Sequence, residues 1–492
     1  MKKLILISML FAGLTSCKKW LEISPKSQIS ANKLFESEQG FKDALIGNYL
    51  LMTNTSTYGF ENNVGFVDAL GQQYYIATSS NPYYYASLYQ YDQLTVVPKI
   101  ENIWAGNYNV IANLNNLIEN IDQKKSMLHP ANYAFIKGES VGLRAFLHFD
   151  LLRLFGYGNL ANDPSKLTTK ILPYVTKYSK AKTIPVTISD YIDSLKKDLN
   201  TAEALLAPYD SITLKKNTLE IPNTDLFYND RRGRFNYFAV KATQARLYLW
   251  TGEYDKAIAA ANKVITGGMQ NLVTFHSGNI NDPNPVNKDY TFSTEHVFSL
   301  NVQNLYDIVK PFIQQYALDG ININYSRLNH NGTVANNLYE TATKPNMSLS
   351  DYRYKELYNK VSTTDFLLLK FTYVTNSTFK DRMPIIKLPE MFYVLAEANN
   401  ETGNQANAVN YLNTVRINRG ISSSYNLTTN ISKDSVTNEI EKEYRKEFVS
   451  EGQLFYYYKR RGKAGIPGTS KFMDNSVYVL PLPQKELEMG GQ

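Results

Sequence analysis

The sequence predicts a mostly α protein in which paired helices stack into a superhelical array, interrupted by long loops and small strands. Three observations carry this expectation. Residues 236–265 form two short amphipathic helices joined at Thr251-Gly252, the same pattern recurs 151 positions later, and looser helix pairs surround both.

In residues 236–265, Phe238, Ala242, Ala245 and Leu249 lie at helical spacing, followed after the glycine by Tyr254, Ala257, Ile258, Ala261 and Ile265. The small side chains of Ala245, Ala257 and Ala261 let two backbones approach, with Tyr248 and Tyr254 filling the wedge. Glycine at the turn and alanines on the facing sides meet the needs of a tetratricopeptide hairpin. One such hairpin cannot bury its apolar face alone, so stacked neighbours are expected. The offset of 151 places Gly252 on Gly403, Ala245 on Ala396, Ala257 on Ala408, Val264 on Val415 and Ala261 on Leu412, while Asn399 and Gln405 replace the two tyrosines. About four hairpins are predicted, near residues 102–155, 189–266, 388–420 and 438–462. Insertions at 53–98 and 267–384 separate them.

The chain has 492 residues, 43% apolar and 20% charged, which suits one large globular domain with woven insertions. Net charge is +7, and +5 once Lys2 and Lys3 leave with a leader. That excess is spread out rather than gathered on one face, so nucleic acid is not an expected partner.

Lys2 and Lys3 precede an apolar run over residues 4–14, too short for the roughly 20 residues of a spanning helix. Leu14-Thr15-Ser16-Cys17 then forms a bacterial lipobox, and Cys17 is the only cysteine. Residues 1–16 are therefore a predicted lipoprotein signal peptide, and Cys17 a predicted acylated N-terminus. Several acyl chains give stable anchoring where one does not. Residues 17–30, with Pro25 and several serines, are expected to be an extended tether. Helical spacing of Phe41, Leu45, Tyr49 and Met52 follows.

A lipobox, the opening Trp20-Leu21-Glu22 with Pro25, and this first helix resemble the SusD/RagB family of nutrient-binding surface lipoproteins. Further matches keep the family's order. They are Arg144, Ala145, Phe149 and Gly156 in residues 138–156, the strand-like 294–303, LPEMFYVLAEA at 388–398, the stretch Arg416 to Gly420, residues 440–462, and VLPLPQKE at 479–486. The sequence departs from the family at Gln453, where arginine is usual, and near Tyr457, where aspartate is usual. That calls into question a local ion pair common in the family.

No catalytic constellation emerges. His129, His148, His276, His296 and His330 lack metal-binding spacing, and no nucleophile elbow or phosphate loop is present. His148, in an apolar helix, is expected to be packed. Glu443, Glu447 and Glu451 recur every four residues beside Ile440, Tyr444 and Phe448, with Lys442, Arg445 and Lys446 close by. This predicts a solvated, charge-compensated helix flank rather than a glycosidase pair. Asp282, Asn284, Asn287 and Asp289 predict an ordinary turn rather than a calcium loop. No cofactor or metal is expected.

Binding chemistry concentrates in the first insertion, where ten aromatics stand between Tyr58 and Tyr91. Asn81-Pro82 precedes Tyr83, Tyr84 and Tyr85, and three consecutive rings cannot all face a core. Tyrosine offers an apolar face to a sugar's C–H side and a hydroxyl to its edge. The candidate ligand-binding residues are Tyr74, Tyr75, Asn81, Tyr83, Tyr84 and Tyr85, with Tyr290 and Tyr316 of the second insertion as weaker contributors. The resemblance supports this placement, because glycan-binding members carry aromatics in an insert before the first repeat.

The resemblance implies a lipid-anchored, outward-facing subunit of an outer-membrane uptake system. It would capture an oligosaccharide, with a peptide as the second choice, and pass it to a SusC-like TonB-dependent barrel. A tetratricopeptide scaffold for proteins and a surface glycosidase are the alternatives. The first needs aromatics along the concave helices, and the second needs two carboxylates about 5–10 Å apart on one groove.

Overall fold

The computed structural model describes residues 31–179, 183–213, 227, 231–269, 272–276, 279–317, 320, 322–373, 376–377 and 379–490. Cys17 and the expected tether lie outside this range.

Helix α1 (Glu38–Met52) starts where Ser37 Oγ accepts a hydrogen bond from the Gly40 amide at 3.1 Å. It buries Phe41, Leu45, Tyr49 and Met52, the four residues at helical spacing. Helix α2 (Val97–Gln123) opens at a proline, as does α3 (Pro130–Phe155), where the missing amide costs nothing. A two-stranded ribbon, β1 (Lys170–Leu172) with β2 (Val186–Thr187), leads into α4 (Ile188–Thr213). Helices α5 (Tyr237–Thr251) and α6 (Tyr254–Lys263) are the predicted hairpin.

Sequence chemistry closes that hairpin at both ends. Asn236 Oδ1 caps α5 by accepting from the amides of Phe238 and Ala239 at 2.9 and 3.1 Å. Gly252 takes the left-handed conformation, φ 78°, which a side chain would strain. Ala245, Ala257 and Ala261 are fully buried between the backbones. The second hairpin, α8 (Leu388–Glu401) and α9 (Gln405–Asn418), turns at Gly403 with φ 85°, so the 151-residue offset is matched in backbone conformation.

Each helix packs on its successor from α1 to α6, α6 packs on α8, and α8 on α9. One continuous apolar core follows this path. The fold is mostly α and tetratricopeptide-like. Residues 438–462 are divided between α10 (Lys433–Glu447) and α11 (Leu454–Arg461), separated by a turn with Ser450 and Gly452 at positive φ. Helix α10 packs on α8 and α9, whereas α11 packs on the short helix Phe66–Leu70 of the first insertion.

The second insertion is bracketed by an antiparallel pair, β3 (His296–Asn301) with β7 (Arg382–Lys387), and β7 runs directly into α8. Between them stand α7 (Leu305–Ile313) and a three-stranded sheet of β4 (His330–Asn331), β6 (Asp365–Leu368) and β5 (Tyr358–Lys360), in that order. This region carries its own small core around Phe292, Tyr339, Tyr354, Tyr358 and Phe366.

The acidic flank of α10 is not solvated, contrary to expectation. Glu443, Glu447 and Glu451 are at most 3% exposed, because the second insertion closes over them. Arg353 Nη1 lies 2.8 Å from Glu443 and 3.2 Å from Glu447, and Arg419 joins Glu295 to Glu447 at 2.6 and 2.7 Å. Lys387 spans Glu447 and Glu451 at 2.8 and 2.7 Å, and Lys370 also pairs with Glu451. Burial alone would raise the Glu443 carboxyl; the Arg353 guanidinium, with Lys446 and Arg416, instead holds it well below the usual carboxylate range. Arg353, Lys370, Lys387 and Arg419 stand 28 to 94 residues from the glutamates they pair with, so local spacing pointed only to Lys442, Arg445 and Lys446.

Candidate functional site

The first insertion divides its aromatics between core and surface. Tyr58, Tyr74, Tyr83, Tyr89 and Tyr91 are buried. Each hydroxyl has an internal acceptor: Asp150, the Val64 carbonyl, Glu61, the Leu70 carbonyl and the Val477 carbonyl, at 2.6–3.1 Å. Lys99 Nζ also sits 4.2 Å above the Tyr83 ring. Tyr74 and Tyr83 therefore support the site from below and offer no ring to a ligand.

Tyr75 is 54% exposed, and Tyr84 and Tyr85 are half-buried with their rings edge to face at 5.2 Å. These are the accessible rings of the first insertion. Of the three consecutive tyrosines, Tyr83 is in the core, Tyr85 packs on its edge and Tyr84 is half-buried.

Asn81 is buried and works as a joint. Its Oδ1 accepts from the Tyr83 amide at 2.9 Å, fixing the turn, and its Nδ2 donates to the Arg327 carbonyl at 3.0 Å. The Tyr75 amide donates to the Asn329 carbonyl at 2.8 Å. Beneath them Phe312 of α7 packs on Phe60 at 4.6 Å and on Tyr83 at 6.0 Å. The two insertions thus pack directly on each other through residues more than 200 positions apart in the chain.

The second insertion adds Tyr316, 49% exposed, and Tyr325, 58% exposed. Tyr316 pairs through its backbone with Ile323 in an isolated antiparallel bridge. Beside Tyr316 opens a cleft of about 430 Å³, whose lining includes Gln314, Gln315, Asn359, Thr372 and Leu368 and contains no charged residue among those described. Amides, hydroxyls and aliphatic faces in that mixture suit a neutral polyhydroxylated ligand. Arg327 is held by Asp365 at 2.9 Å, and Asn329 donates to the same carboxylate at 2.7 Å. Tyr290 lies apart from this group, packed on the small core of the second insertion.

Sequence inspection missed Arg327, Asn329 and Asp365, since their role depends on contact with the first insertion. A larger groove, 1090 Å³, runs between α1 and the β3–β7 pair. Its walls carry Lys42, Asp43, Arg234, Lys380, Asp381 and Arg382, and its Tyr49 is buried with the hydroxyl on Glu139 at 2.5 Å. Its other ring, half-buried Phe227, has Lys42 and Arg234 over it at 5.3 and 4.2 Å, so the tyrosine surface is the better candidate.

His148 is fully buried, with Nδ1 2.9 Å from the Tyr191 hydroxyl and Nε2 accepting from the Val175 amide at 3.2 Å. Burial lowers it to about 3, so it is a packed neutral histidine. Asp282 Oδ1 accepts from the Asn284 amide at 2.8 Å in an ordinary turn. Among the described residues no group of three acidic, histidine or cysteine side chains converges on a metal-sized site, and no helix is long and apolar enough to cross a membrane.

Two family models match the chain over complementary ranges. Residues 274–489 match the SusD family, and residues 19–219 match a model described as starch-binding associating with outer membrane. The chain belongs to the SusD/RagB family. A curated relative, SusD-like protein P25 of Formosa agariphila, is 20% identical over 286 residues, covering 57% of this chain and 49% of that protein. The chain thus spans about half the length of the curated relative it matches. A solved SusD superfamily protein from Bacteroides thetaiotaomicron has a TM-score of 0.69 at 22% identity, covering 92% of this chain and 98% of that one. A SusD-like carbohydrate binding protein from Bacteroides vulgatus gives 0.68 at 17%, covering 92% and 97%. At these identities the likeness establishes a shared SusD fold over nearly the whole chain.

Proposed function

We propose that this SusD/RagB member is the lipid-anchored, outward-facing substrate-binding subunit of an outer-membrane uptake system, and that its ligand is an oligosaccharide. The observation that carries the proposal is that two insertions joined through Asn81 and Arg327 keep rings accessible, Tyr75, Tyr84 and Tyr85 on one and Tyr316 and Tyr325 on the other. Two family features support it: one matching model is described as starch-binding, and one similar structure is called carbohydrate binding. Binding by stacking and neutral hydrogen bonds needs no catalytic group, and none is assigned.

The experiment is a glycan array on the soluble mature chain, followed by calorimetry with the best ligand. Tyr75→Ala/Tyr84→Ala/Tyr85→Ala should weaken binding at least tenfold, since base-sized ring stacking contributes of the order of 1 kcal/mol per ring. Far-ultraviolet circular dichroism should be unchanged, because none of the three rings is fully buried; Tyr85 packs only on the edge of the core. Affinity unchanged in this variant removes the proposed surface.

The anchor and partner complete the proposal. Cys17 acylation holds the protein at the membrane, and a SusC-like TonB-dependent barrel supplies the pore that this chain does not provide. Membrane fractionation of Cys17→Ala should release the protein. Mild-detergent purification through a C-terminal tag should recover a large barrel in near-equal amount, and recovery of the protein alone contradicts the partnership.

A further inference from the structure

The centre of the helix array contains a small polar cavity between α5, α8 and α11. Its lining includes Arg246, Trp250, Glu390, Gln453 and Tyr457, and about 30 Å³ is open to the centre of a water-sized sphere. A single water requires only about 10–15 Å³ by that measure. Arg246, Trp250 and Tyr457 are 6%, 2% and 2% exposed, and each retains one buried polar atom with no protein partner: Nη1, Nε1 and Oη respectively. The rest of the guanidinium is engaged, since Nε and Nη2 bind Glu390 and Nη2 also donates to the Ile385 carbonyl at 2.7 Å. Trp250 follows Arg246 by four residues, so both project from one face of α5.

Three buried donors without a protein partner, carried by residues that line one cavity, call for an acceptor. We infer that the cavity is a binding site for one ordered water, two at most, which accepts from Arg246 and from Trp250 or Tyr457 and ties three helices of the array together. Water fits better than a halide for two reasons. The guanidiniums around the cavity are each matched by a carboxylate: Arg153 by Asp150, Arg246 by Glu390 and Arg460 by Glu397. No net positive charge therefore calls for an anion. Glu390 and Gln453 Oε1 also keep lone pairs that can accept the water's hydrogens, and the same carboxylate would repel chloride.

A crystal structure of the mature chain at atomic resolution tests the assignment. The expected result is an oxygen peak roughly 2.7–3.2 Å from Arg246 Nη1 and from Trp250 Nε1 or Tyr457 Oη. Crystals soaked in bromide, or pressurised with xenon, should show no anomalous peak in the cavity. A bromide peak would make it an anion site, and a xenon peak a dry one; either overturns the inference, as does a cavity closed by side chains with no density. In Trp250→Phe/Tyr457→Phe, which keeps both rings and removes two donors, occupancy should fall by at least half. Full occupancy in that variant overturns the assignment of those two donors.

Discussion

Asn81 Nδ2 donates to the carbonyl of Arg327 at 3.0 Å, a side-chain contact between the two insertions across 246 residues of chain. The same side chain fixes the turn into Tyr83 through Oδ1. Replacing it with alanine leaves the Tyr83 amide and the Arg327 carbonyl without partners. Asn81→Ala should cost on the order of 1–3 kcal/mol and weaken ligand binding, while helical content stays the same. Thermal unfolding and calorimetry on the same preparation check both effects. Wild-type affinity in this variant would show that the joint does not shape the site.

The hairpin at Gly252 gives a packing test. Ala257 is fully buried between α5 and α6, whereas Lys256 pairs with Glu253 at the surface. Ala257→Leu should overpack the contact and cost about 1–3 kcal/mol. Lys256→Gln should leave the unfolding midpoint where it was. Equal midpoints for the two variants would contradict the hairpin packing.

Arg419 holds Glu295 with Nη1 at 2.7 Å and Glu447 with Nη2 at 2.7 Å, and its side chain is wholly buried. Arg419→Met strands Glu295 in the interior and takes one of three cations from Glu447, which keeps Arg353 and Lys387. The expected loss is about 3–5 kcal/mol, seen as a lower urea midpoint. Lys344→Gln, at an exposed i,i+4 pair with Glu340, is the control and should change little. A small effect at Arg419 would mean that the network relaxes or admits water.

Four histidines give a pH dependence. Burial lowers His148, His296 and His330 to about 3, and His276 to about 4, from an ordinary value of 6.5. Below pH 6.5 the unfolded chain takes up protons that the folded chain refuses. Each histidine then removes about 1.4 kcal/mol of stability per pH unit until its folded value is reached. Glu443 and Glu447, held low against burial by Arg353 and Arg419, add to the loss once pH falls below about 4.5. Stability should be highest near neutrality and fall steeply from pH 6 to pH 4, steeper than a surface-histidine protein would show. A melting temperature that is flat across that window would refute neutral burial.

The sequence by itself determined whatever depends on neighbours within a few turns. The 3.6-residue spacing of Phe41, Leu45, Tyr49 and Met52 fixed the buried face of α1. Gly252 and Gly403 marked the turns, since only a residue without a side chain takes that backbone cheaply. The alanines between them announced close helix packing. The lipobox needs no fold at all. Tyrosine clustering drew attention to the first insertion, without telling its buried rings from its accessible ones.

Tertiary structure decided what depends on distant partners. Tyr83 and Tyr84 are chemically identical and adjacent, yet one is buried on Glu61 and Phe312 while the other is half-buried. Tyr290 and Tyr316 were equivalent in sequence, but Tyr290 packs on the small second core and Tyr316 stands at the cleft. Glu443, Glu447 and Glu451 look solvent-facing beside local lysines, and are buried because Arg353, Arg419 and Lys387 arrive from outside the helix. A side chain's spacing sets the direction in which it leaves its own element. Whether water or protein waits there is set by segments hundreds of residues away, and no local pattern encodes that.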